Sequence, residues 1–181
     1  MKQRIISVDI FRGLTIALMI LVNTPGTWEA VYPPLRHAVW HGYTPTDLVF
    51  PFFLFIVGTS IVFAYQNKQP GPAVYRKITI RTLKLIGLGL FLGAFTISFP
   101  FIEPFEEIRF PGVLQRIGVV FFLAAILFLN TNWKVLLGIA ITRLLGYWVW
   151  MGFIPLEGQA PTFERASNNW ANYIDLNVFG T

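Results

Sequence analysis

Long apolar runs separated by short polar breaks dominate this chain, and two of them, Leu14 to Val22 and Leu48 to Ala64, contain no charged residue. A helix crosses a bilayer in roughly 20 apolar residues, so the pattern predicts about five spans, near residues 5–25, 47–66, 79–99, 112–130 and 134–154. The first reaches that length only by including Asp9 and Arg12, which then lie near one interface. Lys2 and Arg4 ahead of it look like the start of a signal peptide. No small-residue cleavage site follows, so a retained helix is expected. Pro25-Gly26 and Pro33-Pro34 end this helix and open a loop. Thr44-Pro-Thr-Asp47 starts the second span, with Pro suited to a first turn and Thr or Asp able to cap it. Pro51 falls early, where a missing donor costs least. Gly87, Gly89 and Gly93 thin one side of the third span and predict close helix approach. Asn130-Thr-Asn-Trp-Lys134 reads as a tight turn, and residues 155–181 as a polar, aromatic loop.

Composition agrees with this pattern. Hydrophobic residues make up 55% of the chain and charged ones 13%, against roughly 25% charged in a soluble domain. The expected fold class is therefore all-α, a polytopic membrane helix bundle. The absence of cysteine excludes a disulfide framework, a thiolate metal site and a thiol nucleophile. A net charge of +5 does not point to nucleic acid, because the basic residues cluster at span ends. One set of ends carries Lys2, Arg4, Arg12, Lys68, Arg76, Lys77, Arg81, Lys84 and Lys134, with Asp9 the only acid. The other carries Glu29, Asp47, Glu103, Glu106, Glu107, Glu157, Glu164 and Asp175, with Arg36, Arg109, Arg116 and Arg165. Positive residues favour the cytoplasmic side, so the N-terminus is expected there.

The candidate chemistry gathers in the polar block from Leu35 to Asp47, between the first two spans. Both histidines of the chain, His37 and His41, lie in it with Arg36, Trp40 and Asp47. Imidazole suits proton transfer near neutral pH, and a carboxylate beside it makes the usual general-base arrangement. Asp47 is the candidate orienter, Trp40 an amphipathic wall, and Arg36 a candidate anion holder. Two histidines four residues apart can bind metal on a helix, but Gly42 and the prolines argue against a helix and no third ligand is evident; no metal is expected. Arg12 and Asn23 share a face of the first span, about 16 Å apart along its axis. A bridge from Arg116 to Asp47 would tie spans two and four together. Arg143 lies mid-span and must face the bundle interior or snorkel. Phe52, Phe53 and Phe55 are expected to pack against lipid and neighbouring helices.

Several of these residues fall in longer motifs. Ser7-Val-Asp-Ile-Phe-Arg-Gly13, Leu21-Val-Asn23, His37-Ala-Val-Trp-His-Gly42, Thr46-Asp-Leu-Val-Phe-Pro51 and Phe55-Ile-Val-Gly58 resemble the heparan-alpha-glucosaminide N-acetyltransferase family, whose bacterial members include DUF5009 or NagX-like transmembrane proteins. Gly112-Val-Leu-Gln-Arg-Ile117 and Asn168-Asn-Trp-Ala-Asn-Tyr-Ile174 extend the likeness over nearly the whole chain. The resemblance implies an acyltransferase that uses cytoplasmic acetyl-CoA to acetylate a glucosamine amine on the opposite side. It assigns the active-site histidine to His37 and a nearby asparagine to Asn23. His41 is an asparagine in the animal enzyme, which makes it accessory, and the loop from Asn23 to His37 is longer here. Family members have about ten or more spans, so the chain is expected to be the N-terminal part of a longer acyltransferase.

The resulting expectation is a multi-pass protein of the inner (plasma) membrane with the histidine loop on the periplasmic or outer side. His37 and Asn23 are catalytic; Asp47, Trp40, His41, Arg116 and Arg12 orient or bind substrate. Arg76, Lys77 and Arg81 are candidates for the phosphates of acetyl-CoA. The partners are the bilayer and an amino-sugar or glycan acceptor, with no nucleic acid, and a homodimer is compatible with the sequence. Two alternatives stay open: a transporter or permease component for sugars or cell-wall fragments, and an inactive truncated scaffold.

Overall fold

The computed structural model describes residues 5–95 and 112–179. Lys2, Arg4, Glu103, Glu106, Glu107, Arg109 and the end of the expected third span lie outside them. The described residues form helices α1 (Ile6–Asn23), α2 (Val49–Tyr65), α3 (Pro72–Ala94), α4 (Val113–Asn130), α5 (Trp133–Phe153) and the short α6 (Trp170–Ile174). They fall into two compact units, residues 5–37, 43–95 and 112–131 in the first, 38–42 and 132–179 in the second. The polar block is therefore shared between the units.

Four helical stretches are long and apolar enough to cross a membrane: α1, Thr46–Tyr65, α4 and α5. Each lies within a few residues of an expected span. The third span differs. Its helix begins at Pro72, seven residues before the expected start, because Gly71 and Pro72 supply a helix start that the apolar pattern does not register. Arg76, Lys77, Arg81 and Lys84 then crowd its first half, so α3 is long enough to span but is not among the four apolar stretches.

Side chains close the helix ends. At the end of α1, Asn23 Nδ2 donates to the Met19 carbonyl at 2.8 Å. At the end of α4, Asn130 Nδ2 donates to Ile126 O at 2.7 Å and Thr131 Oγ1 to Leu127 O at 2.6 Å. Each is a second bond to a last-turn carbonyl that also accepts a backbone amide, as Leu127 O does from Thr131 at 3.0 Å. Asn132 caps α5 by accepting from the Val135 amide at 3.0 Å. Residues 155–179, expected as a loop, contain α6, which continues into a single π turn over Asp175–Phe179. Asn169 starts α6: fully buried, it accepts from the Ala171 and Asn172 amides and donates to Thr162 O.

The core of the first unit lies where α2, α3 and α4 meet, around Ile61, Tyr65, Ile78, Phe121 and Ala125. On α4 the buried residues Gln115, Gly118, Phe121 and Ala125 recur every three or four positions, one stripe of a helix. Tyr75 of α3 adds a hydrogen bond from its hydroxyl to Asn130 Oδ1 at 2.8 Å. Phe11 of α1 meets Phe52 and Phe55 of α2 edge-on, with centroids 5.2 and 6.2 Å away, so two of the three phenylalanines pack as expected.

Of the three glycines on α3, Gly89 is the one that makes the close approach. A methyl group there would lie 2.6 Å from Gln115 Oε1 and 2.9 Å from Leu114 Cβ, whereas at Gly87 and Gly93 it would meet nothing within 4 Å. Gly89→Leu should therefore lower the stability of the α3–α4 pair by about 1–3 kcal/mol, the usual cost of overpacking. Thermal denaturation in detergent checks this: the midpoint should fall for Gly89→Leu and stay near wild type for Gly87→Leu. Equal midpoints would contradict the packing.

Candidate functional site

Asp47 stands at the first turn of the helical stretch that continues into α2, and both of its carboxylate oxygens are engaged. Oδ2 accepts the Thr44 amide at 2.8 Å and lies 3.0 Å from the Thr44 hydroxyl. This is one limb of a capping box, an acid three residues into a helix start reaching back to the amide that opens it. Oδ1 lies 2.6 Å from His37 Nδ1. The Thr44 hydroxyl also lies 2.6 Å from the Arg36 carbonyl, beside His37 in the chain. Thr44 thus holds both the carboxylate and the strand of backbone that carries the imidazole.

An ionised carboxylate only accepts, so the pairing puts the imidazole proton on Nδ1. Nε2 then presents its lone pair, and it has no hydrogen-bond partner among the described residues. The His37 side chain is 67% exposed and Asp47 27%. A pair this exposed adds only about 0–1 kcal/mol to stability. Its value is orientation: one ring nitrogen is held and the other is left for chemistry.

The remaining expected residues divide. Arg36 turns inward to its own loop, Nε donating to Val31 O at 2.8 Å and a terminal nitrogen to Glu29 O at 3.3 Å. Asn23 spends one N–H on Met19 and keeps the other, and no hydrogen bond joins it to His37. The expected bridge from Arg116 to Asp47 is not made. Asp47 is held locally by His37 and Thr44, and Arg116 forms no ion pair among the described residues. Arg12 pairs with Asp9 at 3.4 Å and donates to Ser60 Oγ of α2 at 3.3 Å. Arg76 and Lys77 are exposed on α3, while Arg81 lies over the Phe121 ring at 4.7 Å.

In the second unit Trp40 Nε1 donates to Phe163 O at 2.7 Å, with the Arg165 guanidinium 5.9 Å from the ring centroid. His41 Nε2 lies 3.2 Å from Glu164 Oε2, and both side chains are exposed. The two histidines therefore engage different carboxylates, and no group of three or more metal-type ligands occurs among the described residues. Arg143 opens on a separate cleft of about 400 Å³ walled by Tyr147, Trp150 and Trp170. Sequence reasoning named Thr44 only as part of a helix start and gave no role to Ser60, Glu164 or Asn169. The Thr-x-x-Asp spacing was a usable signal for Thr44, but Ser60 and Glu164 meet their partners only through tertiary folding.

Residues 4–174 match the family model described as heparan-alpha-glucosaminide N-acetyltransferase, catalytic. The chain is 39% identical over 139 residues to heparan-alpha-glucosaminide N-acetyltransferase of Homo sapiens and 38% identical over 137 residues to that of Mus musculus. These matches cover 70% and 69% of this chain but 19% of each relative. The chain spans about a fifth of the length of the curated relatives it matches.

The His37–Asp47 geometry predicts a chemical signature that needs no substrate. With Asp47 holding the Nδ1–H tautomer, Nε2 of His37 should react readily with diethyl pyrocarbonate. Asp47→Asn should slow carbethoxylation of His37 several-fold and leave His41 unchanged, as followed by peptide mass spectrometry. Equal rates at His37 in both proteins would contradict the pairing.

Proposed function

This chain belongs to the heparan-alpha-glucosaminide N-acetyltransferase catalytic family, and from that premise we propose that it transfers an acetyl group from cytoplasmic acetyl-CoA to the amine of a glucosamine-type sugar on the far side of the membrane. The observation that carries the reading is the 2.6 Å contact between His37 Nδ1 and Asp47 Oδ1, which leaves Nε2 unpartnered. Acyl transfer to an amine needs a base for the amine proton and a donor for the carbonyl oxygen. His37 Nε2 takes the proton as nitrogen attacks the thioester carbon, Asp47 steadies the imidazolium, and the proton passes to the departing thiolate. The same nitrogen would alternatively carry the acetyl group in a two-step route.

For the developing oxyanion, Asn23 retains one amide N–H and Arg116 its donors, counted among the described residues. In this reading the basic helix ends face the cytoplasm, following the excess of positive residues there, and the histidine loop faces outward. Arg76, Lys77 and Arg81 then lie on the side from which an anionic donor would arrive. The protein is placed in the plasma membrane, with the bilayer and an amino-sugar acceptor as its partners.

The test is acetyl transfer from acetyl-CoA to glucosamine in membranes carrying the protein. General-base contributions run to roughly 10²–10⁴-fold, so His37→Ala should lose at least about 100-fold in rate. Asp47→Asn should retain protein level and lose a large part of the rate. Wild-type turnover by His37→Ala would overturn the assignment.

A further inference from the structure

Arg143 stands at the midpoint of a helix with little packed against it. α5 runs 21 residues from Trp133 to Phe153, about 31 Å, close to the thickness of a hydrocarbon core. Arg143 is therefore about 15 Å from either end. Only 6% of this apolar stretch is buried. A cation at mid-depth is costly in lipid, and snorkelling serves arginines near helix ends. At the midpoint such a group faces a cavity or meets a partner.

Its surroundings supply half of a site. Arg143, Gly146, Tyr147 and Trp150 fall at i, i+3, i+4 and i+7, one face of the helix, and together line a cleft of about 400 Å³. The opposite wall comes from α6, where Trp170 meets the Trp150 ring edge-on at 5.4 Å and donates to Ile154 O at 2.8 Å. No carboxylate among the described residues lines this cleft. Among the same residues Arg143 makes no ion pair: Glu164 is turned to His41, and neither Glu157 nor Asp175 pairs with it. The natural complement of a planar guanidinium fork is a carboxylate.

Depth and charge narrow what could carry that carboxylate. A lipid headgroup sits at the bilayer surface, about 15 Å from the helix midpoint. A second copy of this chain has no acid to offer at that depth. Of its nine acids only Asp9 and Asp47 fall in one of the four apolar stretches, both in the first turn. A second Arg143 would repel the first. Gly138, Thr142 and Gly146 recur every four residues beside the arginine, and a methyl group at either glycine would meet nothing within 4 Å. Another backbone has room to come close there. We propose that this face of α5 docks a membrane-spanning helix whose mid-depth carboxylate pairs with Arg143. The docking is independent of acyl transfer at His37.

The test places the 181-residue chain in phosphatidylcholine vesicles with dansyl-labelled polyleucine peptides that span the bilayer and differ in one central residue. Energy transfer from tryptophan to dansyl, titrated against the peptide-to-lipid ratio, measures association. Interhelical polar pairs in membranes are worth about threefold to thirtyfold in affinity. The central-glutamate peptide should therefore associate at least about threefold more tightly than its glutamine counterpart. Arg143→Gln should erase that difference, and Arg143→Glu should transfer the preference to a central-lysine peptide. Lys134→Gln, at the end of the same helix, should leave the preference unchanged. A glutamate moved two turns from the peptide centre should lose most of it. Circular dichroism shows that each variant keeps its helix content. Equal association of the glutamate and glutamine peptides with the wild-type chain overturns the proposal. So does a preference that survives Arg143→Gln. Energy transfer between donor- and acceptor-labelled chains without peptide, lost in Arg143→Gln, assigns the face to self-association and also overturns it.

Discussion

Asp47 joins a helix start to an imidazole through its two carboxylate oxygens. One oxygen closes the first turn of the helical stretch leading into α2 by accepting the Thr44 amide; the other holds His37 Nδ1. The same carboxylate thus fixes where a membrane helix begins and how an imidazole presents its free nitrogen. Because a hydrogen-bonded helix turn carries the carboxylate, the imidazole has a fixed partner although it is largely exposed. Thr44 extends the arrangement by meeting the Arg36 carbonyl, one residue before the histidine. A functional group on a loop gains precision when a rigid element supplies its orienter.

The helices that carry this site depend on their surroundings in a different way. Only 11% of the apolar stretch of α1 and 6% of that of α5 are buried, so most of their apolar surface meets neither unit's core. In water such exposure would be unfavourable; against hydrocarbon it is neutral, and a helix apolar on all sides fits there. Shape complementarity is concentrated where α3 and α4 meet, with Gln115 and Leu114 close over Gly89 and Leu85 and Ile86 over Gly118. Small residues that let backbones approach are the usual means of packing where lipid offers no hydrophobic drive.

Much of this was legible in the sequence where a single local signal decided the outcome. Apolar run length placed α1, α2, α4 and α5, and Asp47 in the polar block offered an orienter for either histidine, with His37 assigned by the family resemblance. The start of α3 was displaced because hydropathy tracks lipid contact, and four cationic residues hide a helix that Gly71 and Pro72 begin. The short α6 was missed because it depends on the buried Asn169 cap, not on apolar periodicity. The Arg116–Asp47 bridge failed for a reason of distance in sequence: Thr44, three residues from Asp47, offers a partner already in place. Ser60 could not be read at all, since its hydroxyl matters only once α1 lies beside α2.

The central claim is that Asp47 fixes the tautomer of His37, and ¹⁵N NMR of histidine-labelled protein in nanodiscs measures that directly. Neutral His37 should show its proton on Nδ1, in a hydrogen bond, with Nε2 unprotonated, and Asp47→Asn should abolish this preference. A proton on Nε2 in the wild-type protein, or an unchanged spectrum in the variant, would contradict the account.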